Sequence, residues 1–564
     1  MKNFHKQLLE EAKNPVCVVF NTACFGDVLV CNSLCQNIKR INPNSKVVFV
    51  VDKPFVDVAK YQKDVDEVIV YDKRGEHKGI FGLIKFVKNF PHKKPFVSFI
   101  TYPNLRNCIV AAVLGSSFVI EGKKIIKSKL STQEQHTNLL KKFTKMGVEN
   151  LPVEYIADNI VPEHLKEMIN ENDRYIGLCA LTKNPSKNMP IETAVEFIKK
   201  INENGESKVI FFGVGQNNED YAAKLKEAGC DFINLVNKTT IYELAQILKQ
   251  CDVLVSADTG TMHLGYAVKT PVVAVFYEKI TLKNWTPNPN LYKSVTISSN
   301  QTAENILSAC DYLLNKKRKI TVVIPTLQKQ KEMLVNLLET LDQDSLVEEI
   351  ILIDNSLKGL DYTNSKLKLI NPKENMFVNP SWNLGVKEAK NSIVALLNDD
   401  IIIPADFCSR VVEKMSPNMG CVGFNIDNIQ ETREIKTLPE IGNLSLEETE
   451  FRGNHWGIAI FFYKSSYDEI PNDIKIFCGD DWIFLQNELY NRRNYNITGQ
   501  NIYHWGSLSS ASKSLSKIGN SDRKIYRQYT RKWWQYIFNI EPVFRGARLT
   551  IFGIELLHHY SKKH

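Results

Sequence analysis

The chain has no two cysteines in Cys-x-x-Cys spacing, although it carries twelve in all. Scattered singly and mostly inside apolar runs, they argue against a disulfide framework or a zinc ribbon and suit a reducing compartment. Cys31 and Cys35, one helical turn apart, are placed either to share a metal ion or to pack in a core. Also missing is any apolar stretch near the roughly 20 residues that a membrane-spanning helix requires. The longest weakly polar run, Ile109 to Ile120, reads instead as a buried helix or strand. Met1 to Asn14 hold no hydrophobic segment of the signal-peptide type, which makes the cytoplasm the expected compartment. No short-period repeat and no low-complexity segment is present.

Net charge is absent from most of the chain. Residues 513–564 hold eleven Lys+Arg against three Asp+Glu, an excess of eight that equals the formal charge of the whole protein. Aromatic residues interleave with this basic tail: Tyr526, Tyr529, Trp533, Trp534, Tyr536 and Phe538 lie among Arg523, Lys524, Arg527, Arg531 and Lys532. A basic, aromatic-rich helix there fits adsorption to an anionic membrane surface, or else a solvated face whose aromatics pack on the preceding domain. Nucleic acid is not an expected partner, since no recognition motif accompanies the charge.

What the chain does have is length and alternation. Its 564 residues, 43% apolar and 24% charged, suffice for about three compact units. From Pro15 to about Lys127, apolar runs such as Val16 to Phe20 and Val47 to Val51 alternate with helical patterns. A second series runs from Tyr175 to Phe276. Both have the rhythm of strand–helix–strand units on parallel sheets, so two doubly wound lobes are expected with a ligand cleft at the carboxyl ends of their strands. At Lys316-Lys317-Arg318-Lys319 a charged junction precedes the strand starting at Ile320, where a new domain begins.

In the first half, Ser256-Ala257-Asp258-Thr259-Gly260-Thr261-Met262-His263 puts small hydrogen-bonding residues at a strand-to-helix turn, where backbone N–H groups and the helix dipole favour a diphosphate. Asp27, in Phe25-Gly26-Asp27, follows the opening strand and faces the same cleft, unless it merely caps a helix. Lys187 lies in the loop Asn184 to Pro190. Sugar transfer from a diphosphate needs a base for the acceptor hydroxyl and positive potential for the leaving group, which these residues supply without a metal. The combination resembles glycosyltransferase family 9, the heptosyltransferase family, over residues 15 to 300. That resemblance implies a two-lobed GT-B fold and inverting transfer. It makes Asp27 the general base, Lys187 the group that neutralises diphosphate, Thr259 and Gly260 the phosphate turn, and Asp258 and His263 neighbours of the donor. Cys31-Asn32-Ser33 and Asn188-Met189 depart from the family's usual residues. A core position is the alternative for His263.

In the second half, Pro325-Thr326, Asp354-Asn355-Ser356, Trp382-Asn383-Leu384-Gly385 and Asn398-Asp399-Asp400 arrive in order at strand ends or helix starts. Together they resemble a family 2 glycosyltransferase of GT-A fold over residues 320 to 515. The resemblance implies that Pro325, Asp354, Asn383 and Asp399 line the donor site, with Asp354 on the base or ribose, and that Asp400 binds Mn²⁺ or Mg²⁺ on the diphosphate. Cys478-Gly479-Asp480-Asp481-Trp482 resembles the family's acidic pair, with Asp481 as catalytic base and Asp480 beside it, or two acids capping a helix. Tyr503-His504-Trp505 resembles the later segment whose histidine completes the metal site. Asn454-His455-Trp456-Gly457 either lines the acceptor groove or packs in the core.

The fold expected is therefore α/β. Residues 1–160 and 161–316 form the acceptor and donor lobes of a GT-B unit, 317–515 a GT-A domain, and 516–564 a basic, aromatic-rich helical tail. The function expected is a bifunctional inverting glycosyltransferase building a bacterial-type surface glycan such as lipopolysaccharide, lipooligosaccharide or capsule. Its partners are nucleotide-sugar donors, a glycan or glycolipid acceptor and the inner face of the cytoplasmic membrane. A divalent cation is needed only in the second half. The competing reading keeps one half catalytic and makes the other a binding scaffold in a membrane-associated complex.

Overall fold

The computed structural model describes residues 8–102, 104–122, 130–424, 426–432, 438–453, 456–505, 513–530, 538–543, 546–551 and 554–560. The chain divides into two units, Met1–Leu314 and Asn315–His564.

The first unit holds two parallel sheets. Strands β1 (Val16–Phe20), β2 (Lys46–Val51), β3 (Glu67–Val70), β4 (Val97–Ile100) and β5 (Phe118–Glu121) lie in the order β3-β2-β1-β4-β5. Strands β6 (Tyr175–Cys179), β7 (Lys208–Phe211), β8 (Ile233–Asn234), β9 (Val253–Ala257), β10 (Val272–Val275) and β11 (Ser294–Ile297) lie in the order β11-β10-β9-β6-β7-β8. In both, the first strand is central and the order reverses beside it, which opens a crevice at the strand ends. The inner strands β1, β2, β4, β6, β9 and β10 are buried on both faces, as parallel strands flanked by helices must be, whereas the edge strands β3 and β5 are only partly covered. This is the two-lobed GT-B arrangement. Both β8 and β11 escape the sequence reading, because one is two residues long and the other mixes Ser and Thr with two apolar residues.

The second unit is built on one mixed sheet. Its strands are β12 (Ile320–Thr326), β13 (Val347–Asp354), β14 (Leu367–Ile370), β15 (Ile393–Leu397), β17 (Met419–Phe424), β19 (Ser445–Thr449), β20 (Ala459–Tyr463) and β21 (Arg493–Thr498), in the order β14-β13-β12-β15-β20-β17-β21-β19. The first four are parallel, and β20 joins β15 antiparallel. A small sheet of β16 (Ile401–Ile402), β22 (Ile502–His504) and β18 (Ile429–Glu431) sits beyond Asp400. Apolar clusters cover both faces of the large sheet.

Two expectations need correction. Among the described residues the tail is helical from Lys513 to Thr530, and strands β23 (Phe538–Val543), β24 (Gly546–Ile551) and β25 (Ile554–Tyr560) form an antiparallel three-stranded sheet rather than more helix. The boundary expected at 515 falls inside that helix. Ile109 to Ile120 is not one buried element but the end of the helix Leu105–Val113 plus β5, and Ile109, Val113 and Val119 are exposed. Trp533, Trp534, Tyr536, Asn454 and His455 lie outside the described residues, as do Arg531 and Lys532.

Candidate functional site

In the first unit, Asp27 sits in the short helix Phe25–Leu29 that follows the loop after β1, and Asp258 opens the turn after β9. Both line one cavity of about 840 Å³ between the two lobes, together with Lys187, Thr259, Gly260 and His263. All six residues singled out in this half thus meet at one place. Burial raises the Asp27 carboxyl to about 6; backbone N–H bonds partly offset this, and the charge of Asp258 adds to it. Lys187 Nζ donates to Asp258 Oδ2 at 2.7 Å, and both side chains are largely buried. In this structure the lysine's charge is committed to a carboxylate, which any anion entering the cavity would have to share or displace.

Thr259 stands at the N-cap of the helix Gly260–Ala267, and its side chain makes no capping bond. The first N–H groups of that helix are left for a ligand at the positive end of the dipole. Two glycines let the lobes meet here. A Cβ on Gly260 would lie 2.5 Å from the Phe25 ring, and one on Gly26 would lie 2.7 Å from His263 Cδ2. His263 bonds the Tyr266 hydroxyl through Nδ1 at 2.6 Å and packs against Trp285, with burial holding its imidazole down to about 4. It is a neutral wall of the cavity whose partner is a hydroxyl rather than a backbone group.

The far end of the cavity was missed by the sequence reading. Phe212 to Asn218, Thr239 to Ile241 and Leu244 line it, and Gly215 takes φ +88 at the start of the helix Gln216–Glu227. The available signal was Gly213-Val214-Gly215 between a strand and a helix, a turn suited to approach by a ligand. Cys31 is buried against Asn21, Thr101 and His136 Nδ1 at 3.3, 3.5 and 3.3 Å, and burial pushes its thiol up to about 12. Among the described residues, no group of three or more His, Cys, Asp or Glu side chains is placed to hold a metal ion.

In the second unit, Asp400 follows β15, and His504 ends β22, which pairs with β16 so that Ile401 lies opposite His504. This register brings His504 Nε2 to 3.4 Å from Asp400 Oδ1. A carboxylate and an imidazole so close fit two ligands of one divalent cation, but among the described residues no third His, Cys, Asp or Glu joins them, Asp399 being turned to another partner. Asp399 Oδ2 accepts from Thr326 Oγ1 at 2.5 Å, and burial raises its carboxyl to about 6. Pro325 precedes that threonine in β12.

Asp354 ends β13 with its carboxylate turned to its own loop: it accepts from Ser356 N at 2.9 Å, Ser356 Oγ at 2.5 Å and Gly359 N at 2.8 Å. Burial works to raise it, but hydrogen bonds from Ser356, Gln328 and Gly359 outweigh that and hold it below the usual range. It shapes the loop rather than reaching freely into solvent. Asn383 is spent altogether. Its Nδ2 donates to Ile470 O and Asn472 Oδ1, and its Oδ1 accepts from Tyr467 Oη and Ile470 N. All four positions of that amide are filled, so it pins the 467–472 segment and leaves nothing to offer a donor.

Asp480 and Asp481 open the helix Gly479–Leu489. Arg452 bridges them, Nη1 to Asp480 Oδ2 at 2.8 Å and Nε to Asp481 Oδ1. Burial first, and then the charge of Asp480, raises the Asp481 carboxyl. Arg452 was not singled out in the sequence, since a lone arginine in a polar stretch gives no signal. The acidic pair lies near the end of β15: Asn398 N donates to Ile458 O at 3.0 Å, and a Cβ on the adjacent Gly457 would stand 3.1 Å from Asp480 Oδ2. Trp456 is fully buried, its Nε1 donating to Asn496 Oδ1 at 3.0 Å, which makes it core rather than groove.

The helix Lys513–Thr530 completes this site. Asp522 is 1% exposed, and its carboxylate accepts the backbone N–H groups of Lys475, Ile476 and Phe477 at 3.2, 2.9 and 2.9 Å. Those residues lead directly into Cys478, left-handed at φ +61, and the acidic pair. Tyr529 packs edge-on to Trp482 at 5.9 Å. Tyr526 likewise packs against the core of the second unit, while Tyr529 stays half exposed.

Residues 125–310 match the family model of glycosyltransferase family 9 (heptosyltransferase), and residues 321–490 match that of glycosyl transferase family 2. The chain joins domains of both families. Asp27 and the strands β1 to β5 of its lobe lie ahead of the family 9 match. Among curated proteins, lipooligosaccharide heptosyltransferase 2 of Campylobacter jejuni serotype O:2 is 36% identical over 72 residues, 12% of this chain and 23% of that protein. Its counterpart from serotype O:6 is 32% identical over 80 residues, 14% of this chain and 25% of that protein. The matched stretch thus spans about a quarter of these relatives. Among solved structures, a family 9 glycosyl transferase from Veillonella parvula overlaps 54% of this chain and 98% of its own, with 18% identity and TM-score 0.46. E. coli ADP-heptose lipopolysaccharide heptosyltransferase II overlaps 53% and 98%, with 16% identity and TM-score 0.43. No helix among the described residues is long and apolar enough to cross a membrane.

Proposed function

We propose that the family 9 unit transfers a sugar from a nucleotide diphosphate to an acceptor hydroxyl with inversion. The observation that carries this is the shared cavity: a carboxylate of raised proton affinity on one lobe faces a lysine and an uncapped helix start on the other. In the proposed reaction the Asp27 carboxylate takes the proton of the acceptor hydroxyl as its oxygen bonds the anomeric carbon. The bond from that carbon to the diphosphate breaks in the same displacement. Lys187 and the N–H groups of the Asp258-Thr259-Gly260 turn receive the negative charge. The loop at Gly213 to Asn218 would hold the nucleoside end, and His263 and Trp285 would wall the sugar. The short matches to lipooligosaccharide heptosyltransferases favour a heptose-like donor and a bacterial surface glycan acceptor.

For the family 2 unit the reading is a second inverting transfer. Asp400 and His504 would hold Mn²⁺ or Mg²⁺, with Asp399 close by, and Asp481 would be the base. Such a cation, when bound, supplies positive charge to the donor diphosphate. Residues 1–160, 161–316 and 317–515 would be the acceptor lobe, donor lobe and second catalytic domain, the last extended by the helix to Thr530. The bifunctional assembly then places two successive transfers on one chain.

The test is a panel of ADP-, GDP-, UDP- and CMP-sugars incubated with the full chain and a truncated glycolipid acceptor, products resolved by mass. Two donors should be used; Lys187→Ala should abolish turnover of one, and Asp400→Asn that of the other. A chain stabilised by no nucleotide sugar in thermal unfolding would overturn the reading. The hold of Arg452 on both Asp480 and Asp481 favours a narrower alternative, in which the second unit binds donor without transfer; one donor bound but never consumed would mark that case.

A further inference from the structure

Two helices of the first lobe are apolar on the side that faces the sheet and on the side that faces water. Gly79–Asn89 follows β3 and Leu105–Val113 follows β4, and right-handed crossovers place both on one face of the sheet. Arg106 on the second donates to Gly79 O on the first at 2.7 Å. Phe86, Phe90, Val110 and Leu114 fill the core beneath them. On the outer side, Ile80, Phe81 and Ile84 are 69%, 84% and 57% exposed. Leu105, Ile109 and Val113, each one turn after the last, are 77%, 43% and 64% exposed. A helix with a second apolar stripe needs something to cover that stripe.

The rim says what. Residues 73–113 contain eight Lys+Arg and one Asp+Glu, a local excess of seven that the neutral balance of the first 512 residues conceals. The lone acid, Glu76, is paired with Lys85. Lys88, Lys93 and Lys94 are exposed. A second copy of the chain docked face to face would set one basic rim against the other. An anionic bilayer instead takes apolar side chains into its acyl boundary and meets lysines with head-group phosphates.

We propose that the outward faces of the helices Gly79–Asn89 and Leu105–Val113 form a docking surface for an anionic lipid bilayer. The surface is joined to the first site. Asn107 Nδ2 donates to Thr22 Oγ1 at 3.3 Å, and Thr22 lies in the loop between β1 and the helix of Asp27. Seating the patch on lipid brings the acceptor side of the cleft to the bilayer surface. This moves the membrane contact from the tail to the first lobe, and it stands whether or not either transfer reaction is assigned correctly.

The experiment is co-sedimentation of the full chain, without donor or acceptor, with phosphatidylcholine vesicles and with vesicles containing phosphatidylglycerol. Wild type should pellet with the anionic vesicles only. The double variants Phe81→Glu/Ile84→Glu and Lys88→Glu/Lys94→Glu should each lower the bound fraction at least about tenfold, with unfolding temperatures unchanged because these side chains already face solvent. Wild type remaining in the supernatant overturns the proposal. So does undiminished binding by both variants, which would locate the lipid contact elsewhere. A wild-type dimer in sedimentation velocity that Phe81→Glu/Ile84→Glu dissociates would make a second copy the occupant and overturn it as well.

Discussion

Asp27 lies where water is scarce, and its proton affinity rises to about 6 from an ordinary 3.8. As the proposed base it is charged only above that value, so kcat/KM of the first transfer should fall as pH drops through about 6, with a slope of one proton. The folded state holds this proton more tightly than the unfolded chain, so stability declines as pH rises from about 4 to about 6. Asp27→Asn should therefore abolish the first transfer yet leave thermal stability at pH 7.5 equal to or above wild type; a loss of stability would show that the carboxylate is a structural group. Lys187 works the other way. Lys187→Ala strands the buried Asp258 carboxylate, an expected loss of about 3–5 kcal/mol, and adding Asp258→Asn should restore stability without restoring turnover. These residues were legible because each sits at the end of an apolar run, where topology sends side chains to a crevice. Arg452 was not, because its significance comes only from two carboxylates that meet it in space. Asn383 misled for the same reason: its motif gives no sign of the Tyr467 and Ile470 groups that saturate it.

Among elements, the helix Lys513–Thr530 changes most between sequence and structure. Its basic composition suggests a face for an anionic membrane or for solvent, but Asp522 points inward and gathers three consecutive N–H groups ahead of Asp480 and Asp481. Asp522→Ala leaves those donors unsatisfied at about 1–3 kcal/mol each. It should lower kcat of the second transfer far more than it raises donor KM, with the first transfer unaffected, and Asp522→Asn, which keeps one acceptor oxygen, should recover part of the loss. Equal first- and second-unit losses would point to general unfolding instead. A single acid in a basic run is invisible to charge counting, since its meaning depends on which way the helix turns. The long parallel strands, by contrast, were plain from their unbroken apolar runs, whereas β8 and β11 carry too few apolar residues to register.

Across the whole molecule, each unit has its own sheets, its own core and its own acidic or basic cluster. Asp400→Asn or His504→Ala should thus remove only the transfer that a chelator also stops, leaving the other at wild-type rate; joint loss would mean that the two reactions share one site. The division at residue 314 was readable from the charged junction beside it. The width of the first unit's crevice was not, since it rests on Phe25 seated over Gly260 and His263 over Gly26, contacts made by residues more than two hundred positions apart. Even one methyl group at either glycine would act as a wedge there, prying the lobe of Asp27 away from the lobe of Lys187 and Asp258. Spacing across the gap is thereby set by two missing side chains, and drift at these positions would blunt the enzyme while every reactive group stayed in the sequence.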